Sequence, residues 1–132
     1  MSFLLDTDIC SAYMRGNARV RQRFLQHSGR LHVSAVTVGE LYTWALRASA
    51  PPDRHEKLQE MLADLTVLPV DADVGRRFGA LRAALFDAGR PTPDMDLLVA
   101  ATAQVHDLTL VTHNVADFAC VPGLRVSDWL AR

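Results

Sequence analysis

Hydrophobic positions along this chain alternate between short unbroken runs and longer stripes at helical spacing. Phe3-Leu4-Leu5 stops abruptly at Asp6-Thr7-Asp8, the pattern of a buried strand followed by a helix start. Leu31 to Val36 is a second such run, and Val38 to Arg47 continues from it as a helix. After the Pro51-Pro52 turn, Leu58, Met61, Leu62 and Leu65 recur at i, i+3, i+4 and i+7. They mark one face of an amphipathic helix opened by Asp53. Thr66 to Val70 reads as a third strand. Val74, Phe78, Leu81 and Leu85 form another helical stripe, closed by Gly89 and Pro91. Leu97 to Val105 is apolar nearly all round, which predicts a central, buried helix. Leu108 to Thr112 and the shorter Leu124 to Val126 complete the strands. Such alternation favours an α/β fold, a parallel sheet wrapped by helices. Periodicity leaves the strand order open.

Composition narrows the class. A chain of 132 residues suits a single domain spanning 1–132, and 49% hydrophobic with 22% charged residues is the balance of a folded protein. The 14 basic and 15 acidic residues give a net charge of -1, which excludes a basic nucleic-acid tail. An enzyme that meets nucleic acid through an acidic site stays open, because neutralising a few carboxylates leaves the remainder net positive. Lys57 is the only lysine, so any mechanism that needs one must use it. Cys10 and Cys120 form no CxxC pair, which favours a reducing cytoplasm over a disulfide framework. No apolar run approaches the ~20 residues of a membrane span, and Phe3 to Leu5 is too short for a secretory leader. The expectation is a cytoplasmic protein with no membrane partner.

The acidic residues carry the chemistry. In an open parallel sheet, ligands bind beyond the carboxyl ends of the strands. Asp6 ends the first strand, Glu40 lies in the first turn of the helix after the second, and Asp117 lies just past the fourth. Asp96 opens the helix that leads back into the fourth strand, so its end of that helix also lies at the carboxyl edge. Each acid taken singly has a simpler role. Thr37-Val38-Gly39-Glu40 fits a capping box with Thr37 as N-cap, and Asp6, Asp96 and Asp117 could each serve a helix N-terminus. Taken together they repel one another unless a cation intervenes. An all-oxygen set suits Mg²⁺ or Mn²⁺ rather than Zn²⁺. The histidines show no H-x3-5-H pair on a helix that would argue for zinc. Hard cations on carboxylates activate water and polarise phosphoryl groups, so phosphodiester hydrolysis is the natural reaction.

Four blocks in order extend this reading. Leu4-Leu5-Asp6-Thr7-Asp8, Ser34-Ala35-Val36-Thr37-Val38-Gly39-Glu40-Leu41, Asp96-Leu97-Leu98-Val99-Ala100-Ala101-Thr102-Ala103 and Leu110-Val111-Thr112-His113-Asn114-Val115-Ala116-Asp117-Phe118 resemble the PIN-domain ribonucleases, and among them the VapC toxins of bacterial VapBC toxin–antitoxin pairs. Pro122-Gly123-Leu124-Arg125-Val126 with Trp129 is similar to the VapC ending, so the likeness runs from Asp6 to Trp129. The resemblance implies a three-layer fold with sheet order 3-2-1-4-5 and a Mg²⁺- or Mn²⁺-dependent endoribonuclease acting on RNA, with tRNA the favoured substrate. It also implies a homodimer and a small VapB-like antitoxin as inhibitor, with higher-order assembly between the two. Carried over by position, Asp6, Glu40 and Asp96 form the core acidic triad, and Asp117 takes the family's fourth, more variable acidic place. Thr112 and Asn114 match a polar pair that supports ligands or contacts substrate.

Two positions depart from the family pattern. Asp8 stands where Asn is usual, and it either joins the metal site through water or caps the first helix. Asp94 stands near a position often held by Pro. Residues two apart do not share a helix face, and Asp96, followed directly by Leu-Leu-Val-Ala-Ala, keeps the family register; Asp94 then reads as the N-cap. Asp71 and Asp73 read as caps at the sheet edge. His113 is an exposed loop residue or an RNA contact. Arg15, Arg19, Arg21 and Arg23 are surface residues that could flank the groove and hold phosphates. Tyr13, Tyr42 and Trp44 read as core, or as part of the face that receives an antitoxin helix. Two rival classes remain: a PIN-type module that binds RNA or a partner without cutting, and a haloacid-dehalogenase-like phosphotransferase built on Asp6 and Asp8. The second wants a later Lys or Arg and a further acidic motif after a strand, and Lys57 sits on an amphipathic helix.

Overall fold

The computed structural model describes residues 1–132. In chain order the elements are β1 (Phe3–Leu5), α1 (Thr7–Met14), α2 (Ala18–Gln26), β2 (Leu31–Ser34), α3 (Ala35–Leu46), α4 (Arg54–Ala63), β3 (Thr66–Leu68), α5 (Ala72–Asp87), α6 (Asp94–Val105), β4 (Thr109–Val111), α7 (Val115–Phe118) and β5 (Val126–Ser127). The strands form one all-parallel sheet in the order β3-β2-β1-β4-β5. This is the order the resemblance implied.

Two cores follow from the alternation of strand side chains. Phe3 and Leu5 point to one face, where they pack with Ile9, Val20, Leu41 and Leu58 from the four N-terminal helices. Leu4 points to the other face and meets Val74, Leu81 and Leu85 of α5 and Leu97 and Ala101 of α6. Both faces are covered, which is why β1 and β4 are buried at every position. α6 is the central helix the sequence predicts, with six buried residues from Leu97 to Ala103.

The strands are shorter than their hydrophobic runs. β2 stops at Ser34 rather than Val36 because the Ser34 hydroxyl accepts the Val36 amide at 3.1 Å and caps α3. Thr37 therefore lies inside the helix, fully buried, and the capping box it was expected to form is absent. β3 ends at Leu68 instead of Val70, β4 covers Thr109–Val111 rather than Leu108–Thr112, and β5 is displaced to Val126–Ser127. Helix α2 was not foreseen, although Asn17 caps it through the Val20 amide and Val20 and Phe24 are its i, i+4 buried pair. The closure of α5 at Gly89 is as expected. Gly89 adopts φ +67 and its amide bonds Phe86, while Arg90 reaches back to Leu85 at 2.8 Å, the pattern of a Schellman end. No helix is long and apolar enough to cross a membrane.

Because all strands run the same way, Leu5, Ser34, Val111 and Ser127 end at one rim, and α6 starts there because it runs back toward the start of β4.

Candidate functional site

Asp6 is the centre of this rim. It is 8% exposed and serves as N-cap of α1, its Oδ1 accepting the Thr7 amide at 2.9 Å. Its Oδ2 accepts the Thr112 hydroxyl at 2.9 Å, so the residue after β4 fixes the residue after β1. Burial pushes the Asp6 carboxyl up to about 6, although the Thr7 amide opposes the shift; repulsion from Asp8 and Asp96 adds to it.

Asp96 lies in the first turn of α6 and is half-buried. Burial raises its pKa as well, reinforced by the charges of Asp117 and Glu40. Glu40 lies in the second turn of α3, not the first, because the helix starts at Ala35. Its Oε1 accepts the Thr7 hydroxyl at 2.9 Å, which ties α3 to the start of α1. Asp117 sits on the single-turn helix α7, exposed, with its amide on the Asn114 carbonyl. The four acids expected from the sequence are thus brought to one rim, linked through their mutual fields.

The supporting residues divide. Thr112 is fully buried and its hydroxyl also lies 3.4 Å from Asp8 Oδ2 and accepts the Asn114 amide. Asn114 takes part through that amide, and its side chain does not cap α7. Asp8 is not the N-cap of α1. Its Oδ1 takes the Ile9 amide at 2.8 Å while its Oδ2 takes the His113 amide at 2.9 Å, so it staples the β4 loop to α1. Asp94 is not a cap either: Pro93 holds that position, and Asp94 is exposed and paired with Arg82 at 3.0 Å. Asp71 does cap α5, through the Val74 amide at 3.0 Å, and Asp73 pairs with Arg76.

Sequence reasoning missed two residues. Thr7 orients Glu40, and Asp128 accepts from His113 Nδ1 at 3.0 Å. Asp128 follows β5 directly, so the rule that picked out Asp6 and Asp117 also applies to it. Three of the arginines proposed to flank the groove are engaged elsewhere. Arg19 bonds the Ala131 carbonyl, Arg21 the Tyr13 carbonyl, and Arg23 lies over the Trp129 ring. Tyr13 and Tyr42 pack against the core, whereas Trp44 is 54% exposed.

The donor set fits a hard divalent cation. Every candidate ligand is a carboxylate oxygen, and the chain supplies no counter-charge: its ion pairs involve Asp53, Asp73, Asp94, Asp107 and Asp128, never Asp6, Glu40, Asp96 or Asp117. No three of these side chains close on a common point.

Residues 3–123 match the PIN domain. The chain is 34% identical over 130 residues to the tRNA(fMet)-specific endonuclease VapC of Shigella flexneri, covering 98% of each chain. It is 30% identical over 131 residues to ribonuclease VapC2 of Haemophilus influenzae, covering 98% of this chain and 99% of that one. Among solved structures, DNA-bound VapBC from Salmonella typhimurium superposes with a TM-score of 0.92 at 30% identity, covering 98% of both chains.

Proposed function

From the premise that this chain belongs to the PIN-domain family, in its VapC branch, we propose that it is the toxin of a toxin–antitoxin pair, an endoribonuclease that cuts tRNA with Mg²⁺ or Mn²⁺ held by Asp6, Glu40, Asp96 and Asp117. One observation carries the metal reading: four acids stand at one rim with no cationic side chain paired to them, and burial together with their mutual repulsion pushes the carboxyls of Asp6 and Asp96 up. A hard cation bound there supplies activation of water and polarisation of the phosphoryl group.

The chain's own contribution is positioning. Thr112 and the Thr7 amide hold both oxygens of Asp6, and the Thr7 hydroxyl holds Glu40. Asp96 stands in the first turn of the most buried helix of the fold, which fixes its backbone at the rim. Asp117 approaches from the short α7 and completes the field on Asp96. Fixing Asp6 and Glu40 in this way lowers the reorganisation that reaction at the rim requires.

The tRNA assignment leans on the name of the Shigella relative. The antitoxin reading is supported by a groove of about 680 Å³ between α1, α3 and α4, lined by Met14, Leu41 and Trp44, by Arg15 and Arg54, and by Lys57 in its ion pair with Asp53. A short amphipathic segment with acidic residues fits that chemistry. Exposed Phe86 and Met95 on α5 and α6 support a homodimer, which light scattering at twice the 14.6 kDa chain mass tests. The reducing cytoplasm suits both RNA targets and the two free thiols.

The deciding experiment incubates purified protein with initiator tRNA. Cleavage is expected with Mg²⁺ or Mn²⁺, to stop with EDTA and to return with excess Mn²⁺. Full activity in chelator, from protein free of other nucleases, would falsify the metal mechanism.

A further inference from the structure

The loop after β4 holds a pair of side chains that the acidic site does not use. His113 Nδ1 lies 3.0 Å from Asp128 Oδ2, and Asp128 is itself fixed, its Oδ1 accepting the Leu130 amide at 2.8 Å. An ionised carboxylate only accepts, so Nδ1 is the donating nitrogen and Nε2 is left free. No hydrogen bond of the chain uses Nε2, and the His113 side chain is 57% exposed. The same residue is anchored from its main chain, whose N–H donates to Asp8 Oδ2 at 2.9 Å. Its neighbour Thr112 is the residue that orients Asp6.

An ordinary solvated histidine keeps its rotamers, because fixing them costs side-chain entropy. Here both the ring and the backbone are held, one residue from the hydroxyl on Asp6. Between Thr112 and Phe118, His113 is also the only side chain able to carry positive charge. A prepositioned nitrogen beside an acidic centre suits contact with whatever that centre receives.

We propose that His113, oriented by Asp128, is a substrate-contacting residue whose Nε2 engages the ribose–phosphate backbone of the RNA strand beside the bond that is cut. The inference rests on the ribonuclease reading above. With Nδ1 donating to Asp128, the Nε2 of a neutral ring accepts from a ribose 2′-hydroxyl, whereas the Nε2–H of a doubly protonated ring donates to a phosphate oxygen.

The test compares steady-state cleavage of initiator tRNA by wild type, His113→Ala, Asp128→Ala and the double variant. His113→Ala keeps the main-chain bond to Asp8, so it removes the ring while leaving the acidic rim in place. KM is expected to rise at least about fivefold with kcat within about twofold, the signature of lost substrate binding. Asp128→Ala should raise KM in the same direction, and should add nothing once His113 is alanine, because it acts through that ring. A single 2′-deoxy substitution beside the cut then separates the two contacts. If it raises KM for wild type but not for His113→Ala, the partner is the 2′-hydroxyl; if the two proteins respond alike while the KM gap between them persists, the phosphate is the group touched. An unmoved KM in His113→Ala, or additive losses in the double variant, overturns the inference while the ribonuclease reading stands. No cleavage by wild type overturns both.

Discussion

Asp94 and Asp96 are two positions apart on one helix, yet they meet opposite surroundings. Asp94 is exposed and paired with Arg82, while Asp96 is half-buried and feels Asp117 and Glu40. If Asp96 holds metal, Asp96→Asn should lower cleavage at least about a hundredfold while the fold persists, since ligand charge and transition-state stabilisation vanish together. Asp94→Asn gives up only an exposed ion pair, worth about 0–1 kcal/mol, and activity should stay within about twofold. Cleavage assays beside circular dichroism decide it, and the reverse pattern would displace the third acidic position by two residues. That the two face different surroundings was legible in the sequence, because residues two apart do not share a helix face; that Asp94 pairs with Arg82 instead of capping α6 was not. The partners of Asp8 and Asp128 were not, because they depend on how the β4 loop folds over α1 and on where β5 ends.

Helix α3 shows where local signals run out. Ser34 and Thr37 are both good caps, and pattern alone favoured Thr37 because Glu40 follows it by three. Tertiary pairing decided otherwise: Ser34 pairs with Leu68 across the sheet and caps from the strand's last position. The consequence is a buried hydroxyl with no partner, Thr37 Oγ1. Thr43 and Thr102 satisfy theirs on the carbonyls of Gly39 and Leu98, four residues back in the same helix. For Thr37 the residue four back is Val33, which belongs to β2 and pairs with Val67 instead. Thr37→Val keeps the branched shape and removes the unsatisfied group, so stability should rise by about 0.5–1.5 kcal/mol. Urea unfolding should show a higher midpoint with an unchanged slope. A lower midpoint would mean that the hydroxyl has a partner after all.

Taken across the chain, the layered α/β architecture was legible because buried parallel strands and amphipathic helices carry different periods. The strand order came only with the likeness to known proteins, since nothing in a three-residue run such as Phe3 to Leu5 names its neighbours. That order is what gathers the acids, and it couples the site to global stability. Asp6 has a folded pKa near 6 against an ordinary 3.8, so the folded chain binds the proton more tightly than the unfolded one. Its contribution to stability is complete below about pH 4, declines as pH rises through 6, and is gone above that. Asp96 shifts in the same direction. Asp6→Asn keeps the capping oxygen and loses the charge. In EDTA it should therefore melt above wild type at pH 8, with the gap closing toward pH 4. A cation that binds only the folded chain acts oppositely, adding about 2.7 kcal/mol at a hundred times its Kd, or roughly 10 °C in Tm for a chain this long. Mn²⁺ should raise the wild-type Tm at pH 8 and do little for Asp6→Asn. A wild-type-to-variant gap that ignores pH, or an equal Mn²⁺ shift in both proteins, would separate Asp6 from the metal and leave its burial without a purpose in the site.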